Sequence, residues 1–300
     1  MRPLSPRSPL SIVTAVLLLA PLLASGDRWP ELQTAQDAHL EAGLQREIES
    51  LGMARAVREK RLAAILVDIT VLDEPRLAGV NEHEMMYAAS LPKIAILLGA
   101  FQKAADEGKP VDPLSITMLT RMIRNSSNTA ATTMLERTGF EYIAEVLTSA
   151  RYKLYDEDGD GGLWVGKPYA SEKAWKRDPL DNLSHAATAF QVARFYYLLE
   201  SDRLVNPEAS AQMREILADP AIEHKFVRGL EVTKSGSRIW RKSGTWRSYH
   251  ADSALVERDG RRYIAVAMAN DPDGENWLSE LIVAMDDLIF DPENIARDGP

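Results

Sequence analysis

Apolar residues recur with two different periods along the chain. Leu40, Leu44, Ile48 and Leu51 are spaced by three and four, which predicts a helix within residues 30–60. Leu62 to Ile69 is a bounded apolar run and reads as a strand, with a short partner from Arg76 to Met86. Ile94 to Phe101 is apolar on every face and predicts a central, buried helix. Helical patterning, including a short helix from Pro113 to Arg124, continues to about Arg203. It is broken by a loop region from Tyr155 to Asn182, and Ser184 to Phe190 reads as the helix that follows that loop. Three strands are predicted between Ile239 and Ala269, the last two joined by a turn at Arg258-Asp259-Gly260-Arg261. An amphipathic helix from Trp277 to Phe290 closes the chain. The order predicts an α/β fold: an antiparallel five-stranded sheet built from the N- and C-terminal parts and flanked by helices, plus an all-α lobe. The sheet lobe would take about residues 27–88 and 225–300, the helical lobe about 89–224.

The N-terminus changes the picture of where the protein works. Arg2 and Arg7 precede an apolar run from Leu10 to Ala24, and Ala24-Ser25-Gly26 offers small residues at a cleavage site. The run is shorter than the ~20 residues a membrane span needs. Residues 1–26 are therefore expected to be a signal peptide, leaving 27–300 as one exported catalytic domain, periplasmic or secreted, with no stable membrane anchor. Cleavage removes two arginines and no acid, so the formal charge moves from −9 to −11. A nucleic-acid partner is not expected, because a polyanion needs a basic surface. The chain has no cysteine, so disulfides are excluded.

Chemistry concentrates in three short strings. Ser90 is the one serine with a lysine, Lys93, three residues on. On a helix that spacing puts both on one face, about 5–6 Å apart at Cβ. A buried lysine can lose its proton and take one from a neighbouring hydroxyl, so the pair is a serine nucleophile with its own base. Ser126-Ser127-Asn128 reads S-x-N, and Lys242-Ser243-Gly244-Thr245 reads K-S-G-T within a predicted strand. A second K-S-G, at Lys234-Ser235-Gly236, lies in a polar stretch and reads as a loop before that strand, with Lys234 a solvated charge.

The order S-x-x-K, S-x-N, K-S-G resembles the signature of the penicillin-recognising serine enzymes, class A β-lactamases most closely. The resemblance covers roughly residues 60–290. It implies that Ser90 attacks a carbonyl carbon, that Lys93 receives the proton, and that Ser126 passes one to the leaving nitrogen. It implies that Asn128 holds a substrate amide and that Lys242 and Ser243 meet a substrate carboxylate. The N–H groups of Ser90 and Thr245 would form the oxyanion hole, with Gly244 allowing close approach. The expected substrate is a β-lactam or a peptidoglycan-like amide, the expected state a monomer, and no cofactor or metal is implied.

Two departures bear on turnover. Class A enzymes place a deacylating glutamate on the loop after the S-x-N helix, closely followed by an asparagine. Here the corresponding region offers Asp178-Pro179-Leu180-Asp181-Asn182 and Glu172, each of which also reads as a solvated loop carboxylate. Ser126 follows Ser90 by 36 positions, a short interval that predicts an open cleft. The alternatives to a lactamase are therefore a penicillin-binding or D-Ala-peptidase-like protein, or a weakly catalytic sensor with slow deacylation. Asp156 to Gly161 begins like a calcium loop, but its twelfth position is Lys167 and it reads as an acidic turn. His185, His224 and His250 have no metal-ligand spacing.

Overall fold

The computed structural model describes residues 30–296. The expected signal peptide lies outside them. The fold class is as the apolar pattern predicts. Strands β1 (Leu62–Asp68) and β2 (Arg76–Val80) come from the N-terminal part, and β8 (Arg238–Trp246), β9 (Tyr249–Arg258) and β10 (Arg261–Asn270) from the C-terminal part. They form one sheet in the order β2-β1-β10-β9-β8, with every neighbouring pair antiparallel. The β9–β10 hairpin closes through Asp259 and Gly260, both at positive φ (47° and 80°), as a two-residue turn of primed type requires.

The central strands read as unbroken apolar runs because both faces of the sheet are covered. In β1, Leu62, Ala64 and Leu66 point to one core and Ala63, Ile65 and Val67 to the other. In β10, Ala265 and Ala267 alternate with Ile264 and Val266 in the same way. Helices α1 (Ala38–Ser50) and α10 (Gly274–Ile289) cover the first face through Leu40, Leu44, Leu281 and Met285. Asp37 caps α1 by accepting from the N–H groups of His39 and Leu40 at 2.9 and 3.0 Å.

The opposite face carries α7 (Ala189–Glu200) and the helical lobe, whose axis is α3 (Lys93–Asp106). Every residue from Lys93 to Phe101 of α3 is buried, which is why its apolar pattern has no polar face. Around it stand α4 (Pro113–Arg124), α5 (Asn128–Thr138), α6 (Phe140–Thr148) and α8 (Pro207–Leu217). None of the helices is long and apolar enough to cross a membrane among the described residues.

Three differences from the sequence reading matter for the site. The helical lobe is not purely α: β3 (Met86–Tyr87), β7 (His185–Ala187) and β6 (Trp164–Val165) form a small sheet, and β4 (Tyr155–Asp156) pairs with β5 (Gly161–Gly162) across the acidic turn. The stretch from Ser184 is thus a strand first, and α7 starts only at Ala189 behind its cap Thr188. Strands of two or three residues have too little sequence for a period to register. Lys234 is no solvated charge either. It ends the helix α9 (Phe226–Thr233) and pairs with Asp287 and, at 4.0 Å, with the buried Asp286.

Candidate active site

The three strings meet where the helical lobe faces the open edge of β8. Ser90 sits in a tight turn between β3 and α3, with the Leu91 N–H on Ala88 O at 3.0 Å and the Lys93 N–H on Ser90 O at 3.3 Å. The preceding residue, Ala89, is held at φ +51°, a conformation L-residues rarely adopt. The Ala88 N–H on His185 O (2.9 Å) and the β3–β7 ladder anchor that turn. Ser90 itself is half-buried.

Lys93 opens α3 and is completely buried. Its Nζ donates to Ser126 O at 2.6 Å and Asn128 Oδ1 at 2.8 Å, with Ser126 Oγ farther away at 3.5 Å. The amine contacts no carboxylate among the described residues, and burial lowers its pKa to about 7. A neutral amine has two N–H bonds and one lone pair. With both hydrogens spent on Ser126 O and Asn128 Oδ1, the lone pair is what remains to accept a proton. Among the described residues no hydrogen bond joins Lys93 to Ser90 Oγ, so the i,i+3 spacing brings them to one turn without linking them directly.

Ser126 is at φ +53° in the turn between α4 and α5. The cap of α5 is Ser127, whose Oγ accepts from Ala130 N at 3.2 Å. Ser126 Oγ is therefore free to accept from Lys242 Nζ, at 2.9 Å. Lys242 is buried on β8 and also donates to Ser243 O at 2.6 Å. Burial holds its ammonium well below the usual lysine range, helped by the nearby charges of Lys93 and Arg241. Gly244 backs onto the nucleophile turn: a methyl group there would lie 2.2 Å from Ala88 O and 2.8 Å from Ser90 N. Only a residue without a side chain lets the strand approach this closely.

Lys225 belongs to this neighbourhood and no motif announces it. It is fully buried at φ +53° and donates to Gly244 O and Thr245 Oγ1, both at 2.7 Å, and to Ala251 O at 3.2 Å. Burial draws its pKa to about 8. Because Thr245 Oγ1 accepts from Lys225, its own O–H is turned outward as a donor.

The two loop carboxylates have different surroundings. Asp178 is buried and saturated: it accepts from Leu180 N (3.1 Å), Asp181 N (2.9 Å), Leu183 N (2.5 Å) and Tyr155 OH (3.2 Å). It is a clamp for its own loop. Asp178→Ala should release those three amides at a cost of about 1–3 kcal/mol. Hydrogen exchange at Leu180, Asp181 and Leu183 would read this directly, and unchanged protection would contradict it. Glu172 is exposed.

What does cover Lys93 from that loop is Tyr169, with its ring centroid 4.5 Å from Nζ and its OH donating to Ala89 O at 3.3 Å. His185 packs on Tyr169 with centroids 4.3 Å apart. Burial lowers the His185 pKa to about 4, so it is neutral; Nε2–H donates to Lys167 O (3.0 Å) and Nδ1 accepts from Ser184 Oγ (3.2 Å). Tyr87, Trp246 and Tyr249 form an edge-to-face aromatic rim at the end of β8, with centroids 5.6 and 5.3 Å from Tyr87.

The fold has relatives. The fold is similar to that of PBP-A, at 18% identity over 88% of this chain and 97% of that one, with a TM-score of 0.63. A β-lactamase from Sphaerobacter thermophilus matches at 16% identity over 84% and 98%, with a TM-score of 0.64. A class A β-lactamase representative from Bacteroides cellulosilyticus matches at 15% over 85% and 99%, with a TM-score of 0.63. No curated protein sequence matches the chain. The sequence profile of the β-lactamase enzyme family matches residues 111–291, from the helical lobe through β8 and its K-S-G to α10. With that match across more than half its length, the chain belongs to the β-lactamase enzyme family.

Proposed function

We propose that the protein is an exported serine hydrolase that acylates on Ser90 with β-lactams or related amides and releases the product slowly. The observation that carries this reading is the buried, carboxylate-free surrounding of Lys93. In acylation, Ser90 Oγ bonds to the carbonyl carbon as its proton passes to the Lys93 lone pair. The N–H groups of Ser90 and Thr245 face the oxyanion, and the C–N bond then breaks as Ser126 gives a proton to the leaving nitrogen. Lys93 passes the proton it has taken on to Ser126, whose Oγ lies 3.5 Å away, and Lys242 holds that Oγ in place through the 2.9 Å bond. Asn128 Oδ1 is taken by Lys93, so its Nδ2 is free to donate to a substrate carbonyl. Lys242, Ser243 and Thr245 offer a cation and hydroxyls to a substrate carboxylate.

Hydrolysis of the ester needs a base for water. Asp178 is saturated by its own loop and Glu172 is exposed. This supports a penicillin-binding behaviour over rapid turnover. A point mutant of PBP-A, one of the fold relatives, is known as an acyl-enzyme complex with penicillin G. Intact-protein mass spectrometry after incubation with penicillin G tests the reading. A persistent adduct on Ser90 is expected, and rapid drug hydrolysis with free enzyme would overturn it.

The acylation rate should depend on pH through Lys93. Its charged form is disfavoured by burial, so the pKa falls to about 7 and about half the amines are neutral at pH 7. An ordinary lysine near 10.4 would be neutral in about one molecule in 2,500. The rate constant for adduct formation should therefore rise with pH, pass half-maximum near pH 7, and be down about 100-fold at pH 5. A flat profile from pH 5 to 9 would exclude Lys93 as the base.

A further inference from the structure

Tyr169 lies in none of the three motifs, yet it touches Lys93 and the residue directly before Ser90. Its ring lies against the Lys93 amine at 4.5 Å, and its hydroxyl donates 3.3 Å to Ala89 O, the carbonyl directly before Ser90. One side chain thus spans from the base to the strained turn that presents the nucleophile. His185 supports the ring from behind at 4.3 Å and is itself fixed by Lys167 O and Ser184 Oγ. The side chain is consequently held by partners on the loop and on β7.

We propose that Tyr169 is a positioning residue whose ring shuts water away from Lys93 and whose hydroxyl holds the Ala89–Ser90 turn in its attacking conformation. The inference rests on the acylating reading of the site. The groups facing Lys93 are few: Ser126 and Asn128 from the start of α5, Lys242 from β8 by way of Ser126 Oγ, and Tyr169, with neutral His185 behind it. Arg241 and Asp252 stand one layer further back, next to Lys242. No carboxylate contacts the amine among the described residues, so the ring is its cover on the loop side. A ring face attracts an ammonium, while excluding water disfavours it. Burial lowers the amine's pKa, the direction that excluding water produces. The hydroxyl acts on the second half of the pair. Ala89 at φ +51° is strained, and the bond to its carbonyl adds to the anchors that hold that shape.

The test uses two variants and a readout that needs no substrate. Protein carrying 13C-labelled lysine is titrated by NMR, with Lys93 assigned by its loss in Lys93→Met. Tyr169→Ala should raise the Lys93 midpoint by about one unit, because water reaches the amine. The pH limb of adduct formation with penicillin G should move up with it. Tyr169→Phe keeps the ring, so its midpoint should stay at the wild-type value. It loses the bond to Ala89 O, so adduct formation should slow about three- to tenfold at every pH. A folded Tyr169→Ala that titrates like wild type would overturn the role of the ring. A Tyr169→Phe protein that acylates at the wild-type rate would overturn that of the hydroxyl, and this variant decides the matter if the alanine protein does not fold. A wild-type protein that forms no adduct refutes the acylating reading instead, and the lysine titration still judges the ring on its own.

Discussion

Replacing Ser90 by alanine should abolish covalent labelling by penicillin G while leaving the fold intact. The hydroxyl has no hydrogen-bond partner among the described residues, so its loss removes no structural contact, and the melting temperature should stay within about 1 °C of wild type. The chemistry loses its nucleophile outright. In other serine acyl-transfer enzymes such a loss is worth on the order of 10⁶-fold, which here means no detectable mass increase on any accessible timescale. The unmodified chain should still bind the drug reversibly, because Asn128, Lys242, Ser243 and Thr245 are untouched. An adduct of unchanged mass on the alanine variant would place the reactive group elsewhere. Lys93→Met should lose labelling too, but through the base: Met matches the stem and cannot take a proton.

The second large effect is expected one layer behind the reacting groups. Three further basic side chains are buried beside Lys93 around β8: Lys225, Arg241 and Lys242, each no more than 2% exposed. Asp252, with no exposure, is the carboxylate paired with Arg241. It accepts from Arg241 Nε at 2.8 Å and Nη2 at 2.6 Å, and from the N–H groups of Phe226 (3.1 Å) and Ser253 (2.9 Å). Arg241 is also held by Ile222 O and His224 O, so it cannot swing to water. Removing one partner of such a pair leaves a buried charge without its counter-ion, at about 3–5 kcal/mol. Asp252→Ala should therefore lower the melting temperature by on the order of 10 °C for a domain of this size. It should also drop the Lys242 pKa still further, since Asp252 is the charge that favours its ammonium. A variant that melts like wild type would show that the pair contributes nothing net. Arg241→Met with Asp252→Leu should recover much of the loss, because two apolar groups leave no unpaired charge.

Part of this site was legible because its chemistry is local. Ser90 and Lys93 are three apart, Ser126 and Asn128 two apart, and Lys242 to Thr245 are contiguous, so each string is a single turn or a single strand. Asp252 and Lys225 could not be found that way. Asp252 stands opposite Ser243 on the neighbouring strand, and Lys225 reaches β8 only because a positive-φ residue turns the chain back beneath it. Tyr169 was missed for a related reason. The loop's position after the S-x-N helix points to a carboxylate, and an aromatic ring over an amine leaves no signature in spacing. The small β3-β7-β6 sheet escaped because strands of two or three residues carry no period, although it is what anchors the Ser90 turn.

The order of residues was enough to dictate the sheet and the central helix, because covering a sheet on both faces demands long apolar runs and burying α3 demands one with no polar side. It was also enough to single out the short strings that could carry acyl-transfer chemistry. Three things came from the folded chain alone: how the lysine is kept uncharged, which carboxylate balances the buried cations, and what stands at the loop position facing the base. Those are matters of burial and of contacts between residues distant along the chain, and neither dielectric surroundings nor long-range proximity is written in local spacing.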